Sequence, residues 1–354
     1  MTTSPTRKTT FFDLALALPE LLVRGADAAR DTSGLPRRSE IDNIVIQGLG
    51  TGRSAGLVVR AVSAATIPVP ILVESAYEIP GCVGKRSLVF ALSGSGNTDE
   101  VNHAAAAAAE RGARLVVVSV DGWLADFAQD CGAALVRIPP DIKFARATFG
   151  VLVASLLTML HDIGFLSEAK LWIDSAVAQL RRRREELLRG DNIAERLASQ
   201  LIGRNVLCQG DTPVGAAAAE RWKAQINQNA KQAAAFSEQP NASHNEAVAW
   251  DCRNEITLQH DAAVLLRHGN EDPRVSQSMD RLAHYLSGKL PVHSVRGEGG
   301  TPFAALMDLV VIGDITSLHL ADLNGVDPTS VRFISHTVKE GLAPPKNWKQ
   351  SSGS

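Results

Sequence analysis

Residues 87–101 read SLVFALSGSGNTDEV, and this stretch decides the fold class of the chain. The apolar run Leu88–Leu92 is typical of a strand that is buried on both faces of a parallel sheet. A loop of glycine and hydroxyl residues, 93–98, follows at once, and Asp99 and Glu100 then open an alanine-rich helix. A strand, a short loop and a helix in this order predict one unit of an α/β fold.

The same stretch gathers anion-binding groups at one end of the predicted strand. The free backbone N–H groups and the positive end of the helix dipole both point at the loop. The hydroxyls of Ser93, Ser95 and Thr98 can add three further hydrogen-bond donors. We therefore predict that this loop binds a phosphate monoester.

Length and composition exclude several other classes of protein. The chain has 354 residues, 45% of them apolar, which suits two domains or one large domain with a substantial core. A net charge of −2 and an aromatic content of 5% provide neither a basic field nor stacking surfaces for nucleic acid. The four cysteines stand singly, which predicts free thiols in a reducing cytoplasm rather than zinc or dithiol chemistry.

The sequence also argues against a membrane protein. Residues 1–10 are polar and precede no signal-like apolar run. We expect no uninterrupted apolar stretch of membrane-spanning length, and we interpret the apolar residues 151–160 as a core helix. These features predict a cytoplasmic protein without a membrane partner.

The first half of the chain alternates strands and helices, which predicts a parallel sheet covered on both faces. The predicted strands are 44–47, 71–73, 88–92, 115–119 and 134–138, and the predicted helices are 54–65, 101–111, 123–131 and 147–163. Residues 166–199 have a helical period with almost no turn signals. The charge run 181–186 within them is typical of a solvated helix face.

The second half restarts the same rhythm more weakly. Its predicted strands are 206–209, 264–267 and 292–295, and its predicted helices are 215–231, 274–286 and 302–320. We therefore predict two similar α/β domains, each a parallel sheet flanked by helices in a flavodoxin-like or Rossmann-like sandwich. The predicted bounds are an N-terminal helix and linker at 1–39, a first domain with its connecting helix at 40–190, a second domain at 191–345 and a flexible tail at 346–354.

A second glycine-rich loop, Gly48–Gly52, also joins a strand to a helix. It lacks the third glycine of the dinucleotide fingerprint and the lysine of a P-loop. It is either a tight turn or a second wall that faces the 93–98 loop across neighbouring strand ends. The latter position is the crevice in which open α/β sheets bind ligands.

Two polar segments are candidates for chemistry. Arg146 lies near the start of a predicted helix, where the dipole disfavours a cation. It either forms a salt bridge or points into the crevice at a phosphate or an enediolate. The run from His244 to Glu246 is either a set of solvent-exposed polar residues without a function or part of a site. A metal site is disfavoured because no second cluster of ligands supports it.

These segments together resemble the bifunctional phosphoglucose/phosphomannose isomerase family, which is built from two sugar isomerase (SIS) domains. Five motifs in the family's order carry the resemblance across residues 40–342. The family patterns are S-x-S-G-N-T-E-E at 93–100, which reads SGSGNTDE here, P-R-A at 145–147, which reads ARA here, E-R-x-x-x-x-x-N-E-N-A-K at 220–231, H-N-E-x-x-x-W at 244–250, and G-D-x-x-S-x-x-L-A with G-V-D-P at 313–328.

The resemblance implies isomerisation between aldose and ketose forms of hexose 6-phosphates, without a metal or an organic cofactor. It assigns ring opening to His244 and Lys339 and stabilisation of the enediolate to Arg146. It also implies a homodimer whose active sites draw residues from both subunits. The residues that it assigns to the phosphate and the substrate are Gly50, Gly52, Ser54, Ser93, Ser95 and Thr98.

Three departures from the family pattern affect the predicted site. The family's proton-shuttling glutamate corresponds to Gln228, and a neutral amide cannot accept a proton from carbon. Loss of a positioned general base typically lowers the rate by ~10²–10⁴. The serine of the family's first loop corresponds to Gly52, and the tyrosine of its phosphate loop corresponds to Gly94. Glu246 is the nearest alternative carboxylate in sequence.

Two functions remain open at the level of sequence. The first is a sugar-phosphate isomerase, or an enzyme of related sugar-phosphate chemistry, with its base supplied by Glu246, a water or another carboxylate. The alternative is a hexose-phosphate-binding protein that acts as a sensor or as the partner of an isomerase. A transcriptional regulator is disfavoured, because the segment before residue 40 is too short for a helix-turn-helix.

Overall fold

A computed structural model of the chain describes residues 10–251 and 254–331. Two parallel sheets, each flanked by helices, form the molecule. This architecture confirms the predicted α/β fold class. Lys339 and Cys252 lie outside the described residues.

The first sheet contains five parallel strands in the order β2-β1-β3-β4-β5. The chain order reverses between β1 and β3, which pair side by side up to Gly48 and Leu92. This pair is the topological switch point, where parallel sheets open a crevice at the carboxyl ends of their strands. The strands are β1 Asn43–Gly48, β2 Ile71–Glu74, β3 Ser87–Ser93, β4 Arg114–Ser119 and β5 Ala134–Arg137.

The second sheet contains four parallel strands in the order β7-β6-β8-β9. We did not predict β7, because its AAFSEQ sequence is poor in β-branched residues. Its pairing with β6 along the whole strand, rather than local propensity, determines its conformation. The strands are β6 Asn205–Asp211, β7 Ala234–Gln239, β8 Asp261–Arg267 and β9 Val292–Arg296.

The helices agree with most of the predicted positions. They are α1 Phe11–Leu16, α2 Leu18–Ala29, α3 Thr51–Ser63, α4 Asp99–Glu110, α5 Trp123–Cys131, α6 Phe149–Ile163, α7 Ala169–Leu187, α8 Ile193–Leu201, α9 Val214–Gln225, α10 Asn254–His260, α11 Pro273–Leu286 and α12 Pro302–Leu323.

The expected unbroken helical stretch at 166–199 is wrong. The chain leaves α7 at Leu187, and Asp191 adopts a left-handed conformation with φ 58°. Asn192 then caps α8, because its side-chain oxygen accepts hydrogen bonds from the N–H groups of Ala194 and Glu195. The left-handed Asp191 and the helix cap Asn192 therefore divide the segment into two helices.

The interpretation of the charge run 181–186 as a solvated face is wrong for Arg183. Its side chain is only 8% exposed and donates two hydrogen bonds of 2.9 Å to Asp308 on α12. Because α7 packs along α12, one side of the charge run faces the protein interior. Burial of a charge requires such a partner, and Asp308 supplies it.

Two helical segments, Ala145–Ile163 and Pro302–Leu323, are long and apolar enough to cross a membrane by length and composition alone. Neither is an uninterrupted apolar stretch, because Arg146 and Asp162 lie in the first and Asp308 and Asp314 lie in the second. Their apolar windows are 78% and 94% buried inside the molecule. Both helices serve as core helices, which agrees with our interpretation of residues 151–160.

The N-terminal helices belong to the core around the first sheet. At the crossing of α2 and α6, a Cβ atom at Gly25 would lie only 2.4 Å from the carbonyl oxygen of Val151. Glycine is therefore needed for this close approach of two helix backbones. The crossing brings α1 and α2 alongside the start of α6, where Arg146 lies.

Candidate active site

The 93–98 loop brings its three hydroxyls together at the end of β3. The Ser93 Oγ lies 2.9 Å from the Thr98 Oγ1, and the Ser95 Oγ lies 3.3 Å from each of them. Gly96 supports this shape with a left-handed φ of 72°, and its N–H donates to the Ser93 Oγ. The hydroxyls precede α4 directly, so the positive end of that helix faces the same point.

The Gly48–Gly52 loop lies next to the hydroxyl loop, because β1 and β3 are neighbours in the sheet. Gly50 has a φ of 49° and directly precedes α3 as its N-cap residue. A Cβ at Gly52 would lie 3.1 Å from the carbonyl oxygen of Leu92, so this position packs tightly against β3. Ser54 is buried within the first turn of α3. The two loops therefore occupy adjacent strand ends, which is the second of the two alternatives that the sequence left open.

Arg146 lies in a single 3₁₀ turn, Ala145–Thr148, that precedes α6 and rests on the hydroxyl loop. A Cβ at Gly94 would lie 2.8 Å from the Thr148 Oγ1 and 3.0 Å from the Ala145 carbonyl oxygen. The small residue at position 94 thus lets the arginine turn pack directly on the loop. This contact gives a physical reason for glycine at a position where the family has tyrosine.

The Arg146 guanidinium reaches across to the second half of the chain. It donates hydrogen bonds to the Asn229 side-chain oxygen and, at 2.6 Å, to the Pro328 carbonyl oxygen. Its central carbon lies 4.8 Å from the centroid of the Phe11 ring. Burial and the neighbouring Arg221 lower the pKa of Arg146 to about 10.

Arg146 forms no ion pair with any residue in the ranges that the structure describes. Within these ranges, the structure therefore does not bear out the salt-bridge interpretation of this residue. Its direct partners are neutral oxygens and a ring, while the charges of Asp314 and Asp327 favour its charged form without forming an ion pair with it. The guanidinium therefore retains its capacity to attract an anion. The partners Asn229 and Pro328 both belong to recognised motifs, but we did not predict their contact with Arg146.

Gln228 directly precedes Asn229, the hydrogen-bond partner of this arginine. The chain leaves α9 through one π-helical turn, Ile226–Ala230, a local distortion that is frequent at functional sites. This turn contains both Gln228 and Asn229, and the Asn229 side chain is the hydrogen-bond partner of Arg146. Gln228 is half-buried, and its side-chain amide has no hydrogen-bond partner in the described part of the chain. The turn ends at Lys231, whose Nζ donates to the Gln228 carbonyl oxygen at 2.6 Å.

Arg221 and Asp314 join α9 to α12 beneath the site. The guanidinium donates to both Asp314 oxygens, at 3.1 and 2.6 Å, and lies 3.8 Å from the centroid of the Phe149 ring. Burial raises the pKa of the Asp314 carboxyl, while the charges of Arg221 and Arg146 oppose that shift. This pair therefore fixes the π-helical turn after α9 relative to the turn that carries Arg146.

His244 and Glu246 lie apart from these contacts. They follow β7 in two short 3₁₀ turns, Asn241–His244 and Glu246–Asp251. His244 is exposed, and its side chain makes no hydrogen bond with another described residue. No hydrogen bond within the described ranges joins either side chain to the hydroxyl loop or to Arg146.

The switch point of the second sheet differs sharply from that of the first. There β6 ends in Asp211 and β8 leads into His268, and their side chains are 6% and 1% exposed. The His268 Nε2 lies 2.8 Å from the Asp211 Oδ1, which also accepts from the Gly215 N–H. Asp211 ends the counterpart of β1, and His268 follows the counterpart of β3, so a buried carboxylate–imidazole pair occupies the switch point where the first sheet has its glycine and hydroxyl loops.

Residues 10–251 and 254–331 contain no group of three histidine, cysteine or carboxylate side chains that could hold a metal ion. The absence of a metal or organic cofactor, which the resemblance implies, stays a prediction.

Comparisons with known proteins agree with this geometry. The family model for the bacterial phospho-glucose isomerase C-terminal SIS domain matches residues 190–340. A bifunctional phosphoglucose/phosphomannose isomerase of Caldicellulosiruptor bescii is 29% identical over 345 residues, which cover 95% of this chain and 100% of the relative. Another of that name from Aquifex aeolicus is 30% identical over 77% of this chain and 81% of its own length.

A solved structure of a putative phosphosugar isomerase from Clostridium difficile has the same fold, with a TM-score of 0.68. It is 14% identical in sequence, and the match covers 94% of this chain and 98% of that one. The two-sheet architecture and the family model define a protein of the SIS class. Within that class, the chain belongs to the bifunctional phosphoglucose/phosphomannose isomerase family.

Proposed function

We propose that this protein is a sugar-phosphate isomerase that interconverts glucose 6-phosphate or mannose 6-phosphate with fructose 6-phosphate through an enediol. The observation that carries the proposal is Arg146, whose turn packs on the hydroxyl loop and whose guanidinium forms no ion pair with a residue in the described ranges. The relatives' names support isomerase activity and do not favour the non-catalytic alternative.

The substrate phosphate would bind at the end of β3. Phosphate oxygens would accept hydrogen bonds from Ser93, Ser95 and Thr98, which now bond to one another. The N-terminus of α4 and the backbone N–H of Gly50 would add donors and a favourable dipole, while Gly52, whose N–H donates to the Leu49 carbonyl, would line the site. These groups fix the sugar by its unreactive end, so the carbonyl end extends from the loop.

Arg146 would stabilise the negative charge that develops on the enediolate. Asn229 and Pro328 orient the guanidinium, so little reorganisation is needed when that charge appears. Because burial excludes water from part of the guanidinium, its electrostatic effect is stronger than that of an exposed arginine.

The proton between C1 and C2 requires a base other than Gln228, because an amide is not basic enough to accept it. Glu246, a water or another carboxylate would take this role. We therefore propose turnover that is slower than a glutamate at position 228 would give. His244 and Lys339 would assist ring opening, as the family resemblance implies.

We further propose a homodimer whose subunits share their active sites. His244 is exposed. The exposed apolar residue Phe236 lies on β7 before it, and the exposed Val248 lies in the 3₁₀ turn after it. An exposed catalytic histidine beside apolar surface fits a role in the site of a neighbouring subunit. We also propose a cytoplasmic location, which the free thiols of Cys82, Cys131 and Cys208 support.

A coupled assay with fructose 6-phosphate and mannose 6-phosphate tests the proposed activity. We expect slow turnover by the native chain and a Gln228→Glu variant that is faster by about 10²-fold, the usual size of a positioned base. Gln129→Glu makes the same change at an exposed position of α5 and should have no effect.

A Ser95→Ala variant, purified in the same way, reports any contaminating isomerase. If the native chain turns over no faster than Ser95→Ala yet binds fructose 6-phosphate in calorimetry, the isomerase proposal is wrong. The protein would then be a hexose-phosphate-binding protein. No gain from Gln228→Glu would contradict the role of position 228.

A further inference from the structure

The N-terminal helix α1 contacts the candidate active site through one aromatic side chain. Phe11, the first residue of α1, is 8% exposed, and its ring lies against the Arg146 guanidinium at 4.8 Å. A capping box fixes the helix start at this point. The Thr10 N–H donates to Asp13 at 2.9 Å, and the Asp13 N–H donates to the Thr10 hydroxyl at 3.2 Å.

Phe11 also contacts the residue that leads into the arginine turn. Its ring meets the Phe144 ring edge to face, with centroids 5.4 Å apart and planes at 88°. Phe144 directly precedes the 3₁₀ turn that carries Arg146. One side chain therefore packs against both the backbone entry and the charged end of the same arginine.

The contacts of Arg146 divide by direction. Its two terminal nitrogens bond to Asn229 and Pro328, and such bonds lie in the plane of the guanidinium. The Phe11 ring approaches the central carbon, which hydrogen bonds do not restrain. A cation over an aromatic face is attracted by the ring quadrupole, and the attraction strengthens when water is excluded.

We propose that Phe11 is a positioning residue for Arg146, so that the N-terminal helix completes the active site from outside the SIS motifs. Phe11 holds the guanidinium in the orientation that meets the enediolate charge, and it touches no substrate atom itself. This inference rests on the proposed role of Arg146 in enediolate stabilisation.

Two probes separate the arginine from the phosphate loop. 5-Phospho-D-arabinonate carries a carboxylate where the enediolate charge would develop, whereas D-glucitol 6-phosphate carries only the phosphate charge. Titration calorimetry measures the affinity of each probe for the full-length chain. The ratio of the two affinities reports the contribution of Arg146 and is insensitive to a uniform loss of phosphate binding.

Phe11→Leu removes the aromatic face and keeps an apolar side chain. We expect it to weaken binding of the arabinonate about 5- to 30-fold, the range of a cation–π contact, with little change for the glucitol phosphate. Phe11→Tyr retains the ring and should restore the arabinonate affinity. Phe12→Leu is the matched control, because the Phe12 ring meets His319 on α12 at 5.6 Å instead of Arg146.

Each contrary result has a distinct meaning. If Phe11→Leu retains the native preference for the arabinonate, or loses affinity for both probes equally, the positioning role is wrong and Phe11 is a packing residue. The same holds if Phe12→Leu lowers the preference as much as Phe11→Leu does. If the native chain binds neither probe, the proposed function itself fails, and the inference fails with it.

Discussion

Arg146 concentrates the chemistry of the candidate site at the scale of one residue. Its neighbours include two neutral oxygens and an aromatic ring, and no described carboxylate forms an ion pair with it. Burial of a charge in such surroundings is unfavourable for folding. An anionic ligand would offset this unfavourable burial of the Arg146 charge, and binding such a ligand is the proposed role of Arg146.

We expect Arg146→Lys to lower kcat by about 10²–10³-fold, the usual loss when one oxyanion-stabilising donor is removed. A lysine keeps the charge but cannot bond in a planar fork to Asn229 and Pro328 together. Steady-state kinetics should show KM for the hexose 6-phosphate changing far less, because the hydroxyl loop is intact. An unchanged kcat would contradict the role of the guanidinium.

The sign of the pH dependence follows from the lowered pKa of Arg146. With a pKa of about 10, the guanidinium is charged at neutral pH and loses its charge only as the pH rises through that value. The arabinonate affinity should therefore be independent of this group between about pH 7 and about pH 9.

At the scale of elements, the helices α7 and α12 carry the connection between the two sheets. The Arg183–Asp308 pair lies in their interface, with both partners nearly inaccessible to water. The site depends on this interface indirectly, because α12 also holds Asp314 under the arginine turn.

We expect Arg183→Ala to lower the free energy of unfolding by about 3–5 kcal/mol, because Asp308 would remain as a buried charge without its main partner. Arg181→Ala is the matched control in the same charge run. Arg181 is 54% exposed, so its loss should change stability by less than about 0.5 kcal/mol. Urea denaturation measures both, and equal effects would mean that the buried pair contributes no more than a surface charge.

At the scale of the whole molecule, the two sheets have similar order but different switch points. The first presents three hydroxyls, and the second presents the buried Asp211–His268 pair. A carboxylate at the second position repels a phosphate dianion.

We therefore expect one hexose phosphate to bind per chain. Calorimetric titration with fructose 6-phosphate should give a stoichiometry near one, and Ser95→Ala should remove this binding. Two equivalents per chain would mean that the second switch point also binds phosphate.

Shared active sites would make two inactive variants complementary. We expect Ser95→Ala and His244→Ala chains to be inactive alone and to regain turnover after they are unfolded, mixed and refolded. In a dimer with shared sites, a mixed pair contains one site with both native residues. Recovery should approach about a quarter of the native rate, since half of the dimers are mixed and each has one intact site. No recovery would contradict shared sites.

Much of the fold could be predicted from local sequence. The strand ending at Ser93, the glycine loop after β1 and the alanine-rich α4 all lie where their patterns indicated. Buried parallel strands and helix termini leave strong local signals, because a strand needs an apolar run and a helix start needs small polar residues. The predicted domain bounds stay a prediction.

Other features lacked a local signal. The polar strand β7 exists because β6 offers it a hydrogen-bonding edge, and Arg183 is buried because Asp308 faces it from a distant helix. The contact of Phe11 with Arg146 joins residues 135 positions apart, and a solitary aromatic side chain at a helix start indicates no such partner.

By itself, the sequence determined the α/β class, the hydroxyl loop and the substitution of glutamine at position 228, since each is a property of neighbouring residues or of one side chain. Tertiary structure alone decided that Arg146 forms no ion pair with a described residue, that Gly94 lets its turn rest on the loop, and that a buried carboxylate occupies the second switch point. The reason is physical. Strand and helix patterns depend on residues a few positions apart, whereas burial and charge compensation depend on segments that meet only after the chain folds.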